Sequence, residues 1–160
     1  MFSFKVYVGC GLTLAPDGFR RQVEDLKVRL GGICEVLSFL NFYANHSPHE
    51  VYKWDIHRCV AGCDLLLAIC DEPSIGLGYE MATQVEKHRK PVLAVAHTNS
   101  LVTALVLDPQ QPGYEFRRYQ NLLTDVPELV IERLERMEAE REALEQREYP
   151  LLQLLEEVAA

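Results

Sequence analysis

The sequence predicts an α/β fold, a five-stranded parallel sheet in the order 2-1-3-4-5 with helices on both faces and a C-terminal helical extension. Three observations carry that expectation. Strand-like and helix-like segments alternate along the chain, which is the pattern of a parallel sheet built from crossover units. The segment Asp64-Leu65-Leu66-Leu67-Ala68-Ile69-Cys70 is continuously apolar after its first residue, as in a central strand covered on both faces. Glycines follow the first strand and the central strand, where an open sheet of this kind keeps its ligand loops.

Each element has its own signal. Phe4 to Val8 reads as the first strand, broken by Gly9-Cys10-Gly11. Pro16-Asp17-Gly18 opens a helix with Phe19, Val23, Leu26 and Leu30 at 3–4 spacing, and Gly31-Gly32 ends it. Ile33 to Phe39 is the second strand and Leu40 to Ser47 a loop. Ser47-Pro48-His49-Glu50 carries the cap, proline and glutamate of a helix start, for a helix running to about Gly62. After the central strand comes a loop, Asp71 to Gly78, then a helix from about Tyr79 to His88. Lys90-Pro91 leads into a strand over Val92 to Ala96, a short helix lies around Ser100 to Val106, and the last strand is near Tyr114 to Tyr119. Five strands in this rhythm favour a flavodoxin-like, Rossmann-like order over a barrel.

The chain divides into an α/β domain over residues 1–126 and a helical extension over 127–160. Between Glu128 and Glu148 eight Glu and four Arg accompany Val130, Leu134, Met137 and Leu144 at roughly heptad spacing. This reads either as a solvated prolongation of the last helix or as a helix that packs on a partner subunit. Pro150 is expected to break it before the apolar stretch Leu151 to Leu155.

Composition narrows the function. With 160 residues, 48% hydrophobic and 25% charged, the chain has the make-up of one ordinary globular domain. Sixteen Lys+Arg against 24 Asp+Glu give a net charge of −8, which argues against a nucleic-acid polymer and leaves room for a small anionic ligand. No apolar run reaches the ~18 residues of a membrane helix, and the N-terminus reads as a strand rather than a signal peptide. Five cysteines in mostly apolar surroundings, of which Cys59 and Cys63 are one helical turn apart, read as buried thiols of a reducing, cytoplasmic compartment rather than a metal clip.

In the 2-1-3-4-5 order the ligand crevice lies between the first and third strands. Two glycine-bearing loops meet there, Gly9 to Thr13 and Asp71 to Glu80. Neither has dinucleotide-fingerprint spacing: Leu14 and Met81 occupy the third-glycine positions, and no Gly-Lys-Ser/Thr is present. What remains is Ser74 with a few backbone amides near a helix N-terminus, suited to one phosphate or to sugar hydroxyls. Glu80 stands in the first turn of the helix leaving the central strand. Its position alone fits equally a carboxylate stabilised by the helix dipole and a functional group in the crevice. Asp55, on the preceding helix, reads on position alone as an exposed carboxylate, and Tyr7 either points into the crevice or packs in the core. His57, His88 and His97 form no triad with a Ser or Cys motif, so hydrolysis through a serine or cysteine is poorly supported.

The strings Asp64 to Ile69, Pro73-Ser74-Ile75-Gly76-Leu77-Gly78-Tyr79-Glu80-Met81 and Lys90-Pro91-Val92-Leu93 resemble the nucleoside 2-deoxyribosyltransferase superfamily, most closely its 2′-deoxynucleoside 5′-phosphate N-hydrolase branch. The similarity spans about Trp54 to Leu105. It implies Glu80 as the nucleophile on the anomeric carbon, Asp55 as the acid that assists the leaving base, and Tyr7 as the tyrosine that orients the nucleophile. Asp55 lies one residue further from Asp64 than the pattern has it. The resemblance also implies that Gly9, Gly11, Asp71, Ser74, Gly76 and Gly78 line the sugar and its 5′ end. Thr103 would stand where a partner subunit's hydroxyl reaches the phosphate. The branch's arginine-bearing loop after the first strand is replaced here by Gly9-Cys10-Gly11-Leu12-Thr13, with Arg20 or Arg21 the nearest substitutes. The implied activity is hydrolysis of the N-glycosidic bond of a nucleoside or nucleoside 5′-monophosphate, with base exchange by a transferase and a non-catalytic nucleotide-binding module as alternatives. It requires no metal or organic cofactor, and the implied assembly is a homodimer or higher homo-oligomer.

Overall fold

The computed structural model describes residues 1–39, 46–108 and 110–159, with side chains described up to residue 147 of the last helix. Five strands, β1 (Lys5–Cys10), β2 (Glu35–Ser38), β3 (Leu65–Ile69), β4 (Val92–His97) and β5 (Tyr114–Tyr119), form one parallel sheet in the order β2-β1-β3-β4-β5. The fold class is therefore the one the sequence predicts. The switch in strand order falls between β1 and β3, whose register aligns Gly9 with Ala68 and Cys10 with Ile69.

Several boundaries differ from the expectation for identifiable reasons. β1 continues through Gly9 and Cys10, because both residues still pair with β3. β2 starts two residues late: the amides of Ile33 and Cys34 bond the Leu30 carbonyl and so belong to the end of helix α1 (Asp17–Leu30). The expected loop from Leu40 to Ser47 lies, over residues 40–45, outside the described residues.

Helix α2 (Pro48–Tyr52) opens with the reciprocal cap its sequence announces. The Glu50 N–H donates to Ser47 Oγ at 3.3 Å, while the Ser47 N–H donates to Glu50 Oε2 at 2.8 Å. It continues as a π-helical segment over Lys53–Val60, in which the Ala61 N–H reaches back five residues to Ile56. Helix α3 (Ile75–Ala82) begins four residues earlier than expected. The Ser74 hydroxyl accepts the Leu77 N–H at 3.2 Å and starts the helix where the sequence reads as loop. Glu80 consequently stands in the second turn, not the first. A second π-helical segment, Thr83–Lys87, follows α3.

Helix α4 is a single turn, Ala104–Leu107. Helix α5 (Asp125–Ala159) begins where the Asp125 carboxylate collects the N–H groups of Gln120 and Asn121, both at 2.9 Å. Its first four turns are core: Val126, Val130 and Leu134 are fully buried on the α1 side of the sheet. Further along, Arg141 still reaches the body, donating to Ser3 Oγ at 3.2 Å and lying over the Phe4 ring. The helix runs through Pro150 rather than stopping there. Among the described residues no helix is long and apolar enough to cross a membrane.

The candidate active site at the β1–β3 switch

Strand alternation sends Tyr7 and Gly9 of β1 to the face covered by the π-helical segment after α2 and by α3, and Val6 and Val8 to the face covered by α1 and α5. On the α3 side, Glu80 projects back over the strand end. A Cβ placed on Gly9 would lie 2.9 Å from Glu80 Oε2 and 3.0 Å from Leu77 Cδ1. Glycine at position 9 therefore makes the space that the carboxylate occupies. The buried Tyr7 hydroxyl donates to Glu80.

Asp55 joins them from the π-helical segment, close enough that its charge acts on both Glu80 and Tyr7. That segment is tied to the end of β2 by two donors on one acceptor: Trp54 Nε1–H and Cys59 Sγ–H reach the Ser38 carbonyl at 2.9 and 3.5 Å. Asp55 lies on this π-helical segment, whose turns hold more residues than α-helical ones, and from it the Asp55 charge reaches Glu80. Nothing in the side-chain pattern announces such a turn, because Ile56, Cys59, Val60 and Cys63 also fit an ordinary helical spacing.

The electrostatics follow from this packing. Burial, and then the neighbouring Asp55 carboxylate, push Glu80 from the usual carboxylate range up to about 8, against the hydrogen bond from Tyr7 that favours its ionised form. Tyr7 is raised well above an ordinary phenol by burial and by the same two carboxylates, so it serves as a proton-bearing donor. Burial likewise pushes the thiols of Cys10, Cys59 and Cys70 up to about 12, which removes them as nucleophiles at neutral pH. Among the described residues no group of His, Cys, Asp and Glu is arranged to hold a metal ion.

The remaining expected site residues separate into three places. Gly11 packs the first loop onto the third: a Cβ there would meet the Glu72 carbonyl oxygen at 2.6 Å and Ser74 Cβ at 3.0 Å. Ser74, Gly78 and Thr103 line a cavity of about 360 Å³ beside the start of α3, together with Glu72 and apolar side chains from the β4–α4 loop. Gly76 and Gly78 lie inside α3, and neither meets a close neighbour that would forbid a side chain. Each costs the helix about 1 kcal/mol relative to alanine, and Gly78 leaves open space on the cavity side. Asp71 turns away from this cavity. Its Oδ1 accepts the His97 N–H at 2.8 Å and the Ser100 hydroxyl at 2.6 Å, and its Oδ2 accepts the Tyr119 hydroxyl at 2.6 Å. It clasps the ends of β3, β4 and β5. Arg20 is likewise engaged in structure, donating to the Leu12 carbonyl at 2.8 Å and pairing with Asp17 at 3.2 Å.

Sequence reasoning missed Glu72, whose loop position gave no sign that it lines the cavity. It also missed the anchoring of Trp54 on Ser38, a contact between residues sixteen apart.

Fold and site together define a doubly wound α/β protein with a carboxylate pair at its topological switch point. No protein-family profile matches the chain, and no curated protein sequence matches it. Solved structures do. The CMP N-glycosidase BcmB of Clostridium botulinum superposes with a TM-score of 0.61 at 18% identity, over 79% of this chain and 98% of that one. A 2-deoxyribosyltransferase from Leishmania mexicana gives a TM-score of 0.49 at 14% identity, over 71% of this chain and 83% of that one. The first likeness shows that this chain shares a fold with an N-glycosidase.

Proposed function

We propose that the protein cleaves the N-glycosidic bond of a nucleoside or nucleoside 5′-monophosphate, with Glu80 as nucleophile, and releases the free base. One observation carries this reading: Glu80 sits at the carboxyl end of β1 and β3 with a tyrosine hydroxyl donated to it and a second carboxylate beside it. The shared fold with an N-glycosidase and the sequence resemblance support the same reaction class.

The chemistry uses both acids. Leaving of the base gives the sugar oxocarbenium character, which an adjacent carboxylate stabilises before bonding to the anomeric carbon. As that bond forms, the C–N bond breaks and its electron pair departs with the base, which takes a proton. Water then cleaves the glycosyl ester and returns Glu80. Near neutral pH the carboxylate pair holds one proton. Its passage from Glu80 to Asp55 produces a nucleophile and an acid together, while Tyr7 keeps the Glu80 carboxylate aimed.

A Glu80→Gln variant is expected to fold and to lose base release by on the order of 10³-fold or more, read by chromatography of the free base. Undiminished turnover in that variant would overturn the assignment. Adding a free acceptor base separates hydrolysis from exchange, because only an exchanger forms the new nucleoside. The reading includes a cytoplasmic homodimer, supported by the apolar side chains Ile75, Leu101 and Leu105, which border the cavity and are more than 80% exposed. Sedimentation of the full chain tests that assembly.

A further inference from the structure

Resting on the reading above, we infer that Trp54 is a positioning residue: its indole N–H, tied to the end of β2, sets how closely Asp55 stands to Glu80. The two carboxylates come from separate helical elements. Glu80 descends from α3, and Asp55 stands on the π-helical segment Lys53–Val60. That segment is tied to the sheet at the Ser38 carbonyl, which accepts Trp54 Nε1–H at 2.9 Å and Cys59 Sγ–H at 3.5 Å. A thiol is a weak donor, so the indole is the main tie. Ser38 ends β2 and pairs with Val8, one register step beyond the pairing of Leu37 with Tyr7. Tyr7 in turn donates to Glu80. One end of β2 thus fixes both members of the pair, Asp55 through its chain neighbour Trp54 and Glu80 through Tyr7.

The other contacts of the segment do not set that spacing. Packing of Ile56, Cys59 and Val60 presses it onto the sheet, but apolar contact is non-directional and tolerates sliding. On the outer side the hydroxyls of Tyr52 and Tyr79 link α2 to α3, yet both rings are half-exposed and water can replace that bond. The Arg58 guanidinium lies 4.0 Å from the centre of the indole and braces the ring. The electrical consequence follows from what faces the pair. From β1 come the Tyr7 hydroxyl and the Cys10 thiol, and from the π-helical segment the Cys59 thiol; all three are pushed well up and stay protonated near neutral pH. Arg58 acts on Cys59, and Glu24 and Lys27 of α1 act on Cys10, rather than on Glu80. Burial apart, the Asp55 carboxylate is what raises Glu80. Letting Asp55 drift therefore lowers Glu80 and parts the acid from the nucleophile.

The test compares the unaltered chain with Trp54→Phe, which keeps an aromatic ring for Arg58 and removes the N–H. Glu80 is followed by carbon NMR of its carboxyl in glutamate-labelled protein, the signal identified by its loss in Glu80→Gln. Its titration midpoint, about 8 in the unaltered chain, is expected to fall in Trp54→Phe part of the way toward the midpoint in Asp55→Asn. In the Asp55→Asn background Trp54→Phe should move it no further, because the indole acts through Asp55. With base release as readout, kcat should fall on the order of tenfold, and the alkaline limb of kcat/KM should move down alongside. An unmoved midpoint in Trp54→Phe, or an equal fall in both backgrounds, overturns the inference and leaves the glycosidase reading standing. The expected midpoints without base release by the unaltered chain uphold the placement of Asp55 by Trp54 and overturn the catalytic reading. A second measurement does not depend on the folding of the variant. The chain has one tryptophan, so its indole N–H gives a single NMR signal. Exchange with solvent is expected to be at least about tenfold slower than in free tryptophan, and exchange as fast as free tryptophan's overturns the tie.

Discussion

The two faces of the sheet are built from different side chains. Toward α1 and α5 the strands present Val6, Val8, Leu65, Leu67, Ile69, Leu93 and Val95, a branched aliphatic surface with Tyr119 of β5 at its edge. Toward α3 and the π-helical segments they present Tyr7, Leu66, Ala68, Val92, Ala94 and Ala96, with Gly9 among them. Large residues fill one side and fix the helices that cover it. On the other, the small Gly9 and Ala68, paired near the carboxyl ends of β1 and β3, leave depth into which α3 lowers Glu80 and the π-helical segment lowers Asp55. Both π-helical segments also lie on this second face. One face holds the fold together and the other makes room for the chemistry.

Substitution on each face should separate these roles. Gly9→Ala puts a methyl group against Glu80 Oε2 and Leu77 Cδ1, both ends of side chains that can shift. The chain should stay folded while kcat falls on the order of 10²-fold, because a displacement of about 1 Å is enough to misplace a reacting group. Leu67→Ala, one register step away on the other face, should cost about 2–5 kcal/mol in a denaturant titration and leave the kcat of the folded fraction unchanged. If the two variants exchanged these outcomes, the division between faces would be wrong.

The pH dependence sharpens the same point within the site. Glu80 is raised to about 8 by burial and Asp55, so the single proton of the pair is lost as pH passes upward through that value. The base then departs without a proton. kcat/KM is expected to fall above about pH 8, approaching tenfold per pH unit. Asp55→Asn removes the neighbouring charge and the proton donor together, so base release should be slower and this limb should disappear. A rate that instead rises through pH 8 would mean that Glu80 acts alone and that Asp55 only borders it.

The smallest expected effect is on stability. Glu80 titrates higher in the folded chain than its ordinary value of 4.5, so the folded state binds the extra proton. Its contribution is most favourable below about pH 4.5 and is lost as pH rises through about 8. Glu80→Gln should therefore raise the melting temperature relative to the unaltered chain at pH 9, by a few degrees at most, and much less at pH 5. On the aliphatic face, Leu67→Ala should lower it at both pH values.

Much of this was legible in the residues. The continuous apolar run of β3, the Ser47–Glu50 capping box and the 3–4 spacing of α1 are local signals, and local backbone chemistry reads them directly. The strand order placed Gly9 and Glu80 near one another before any coordinate did, because connection rules leave few topologies for this rhythm. Asp71 shows the limit. Its place in a glycine-bearing loop matched a ligand contact, yet its three partners come from residues 26 to 48 positions away, and those contacts fill its carboxylate. Sequence spacing carries no record of such partners.

The sequence by itself thus determined the sheet and its strand order, since these follow from periodicity, caps and connectivity, while position alone left Glu80 open between a helix-end carboxylate and a group in the crevice. The tertiary structure alone decided that α3 starts at Ile75 and carries Glu80 on its second turn, that a π-helical segment brings Asp55 to face it, and that Glu72 rather than a cation borders the cavity. Those outcomes depend on competition between distant groups for the same donors, acceptors and space, which is settled only when the chain has packed.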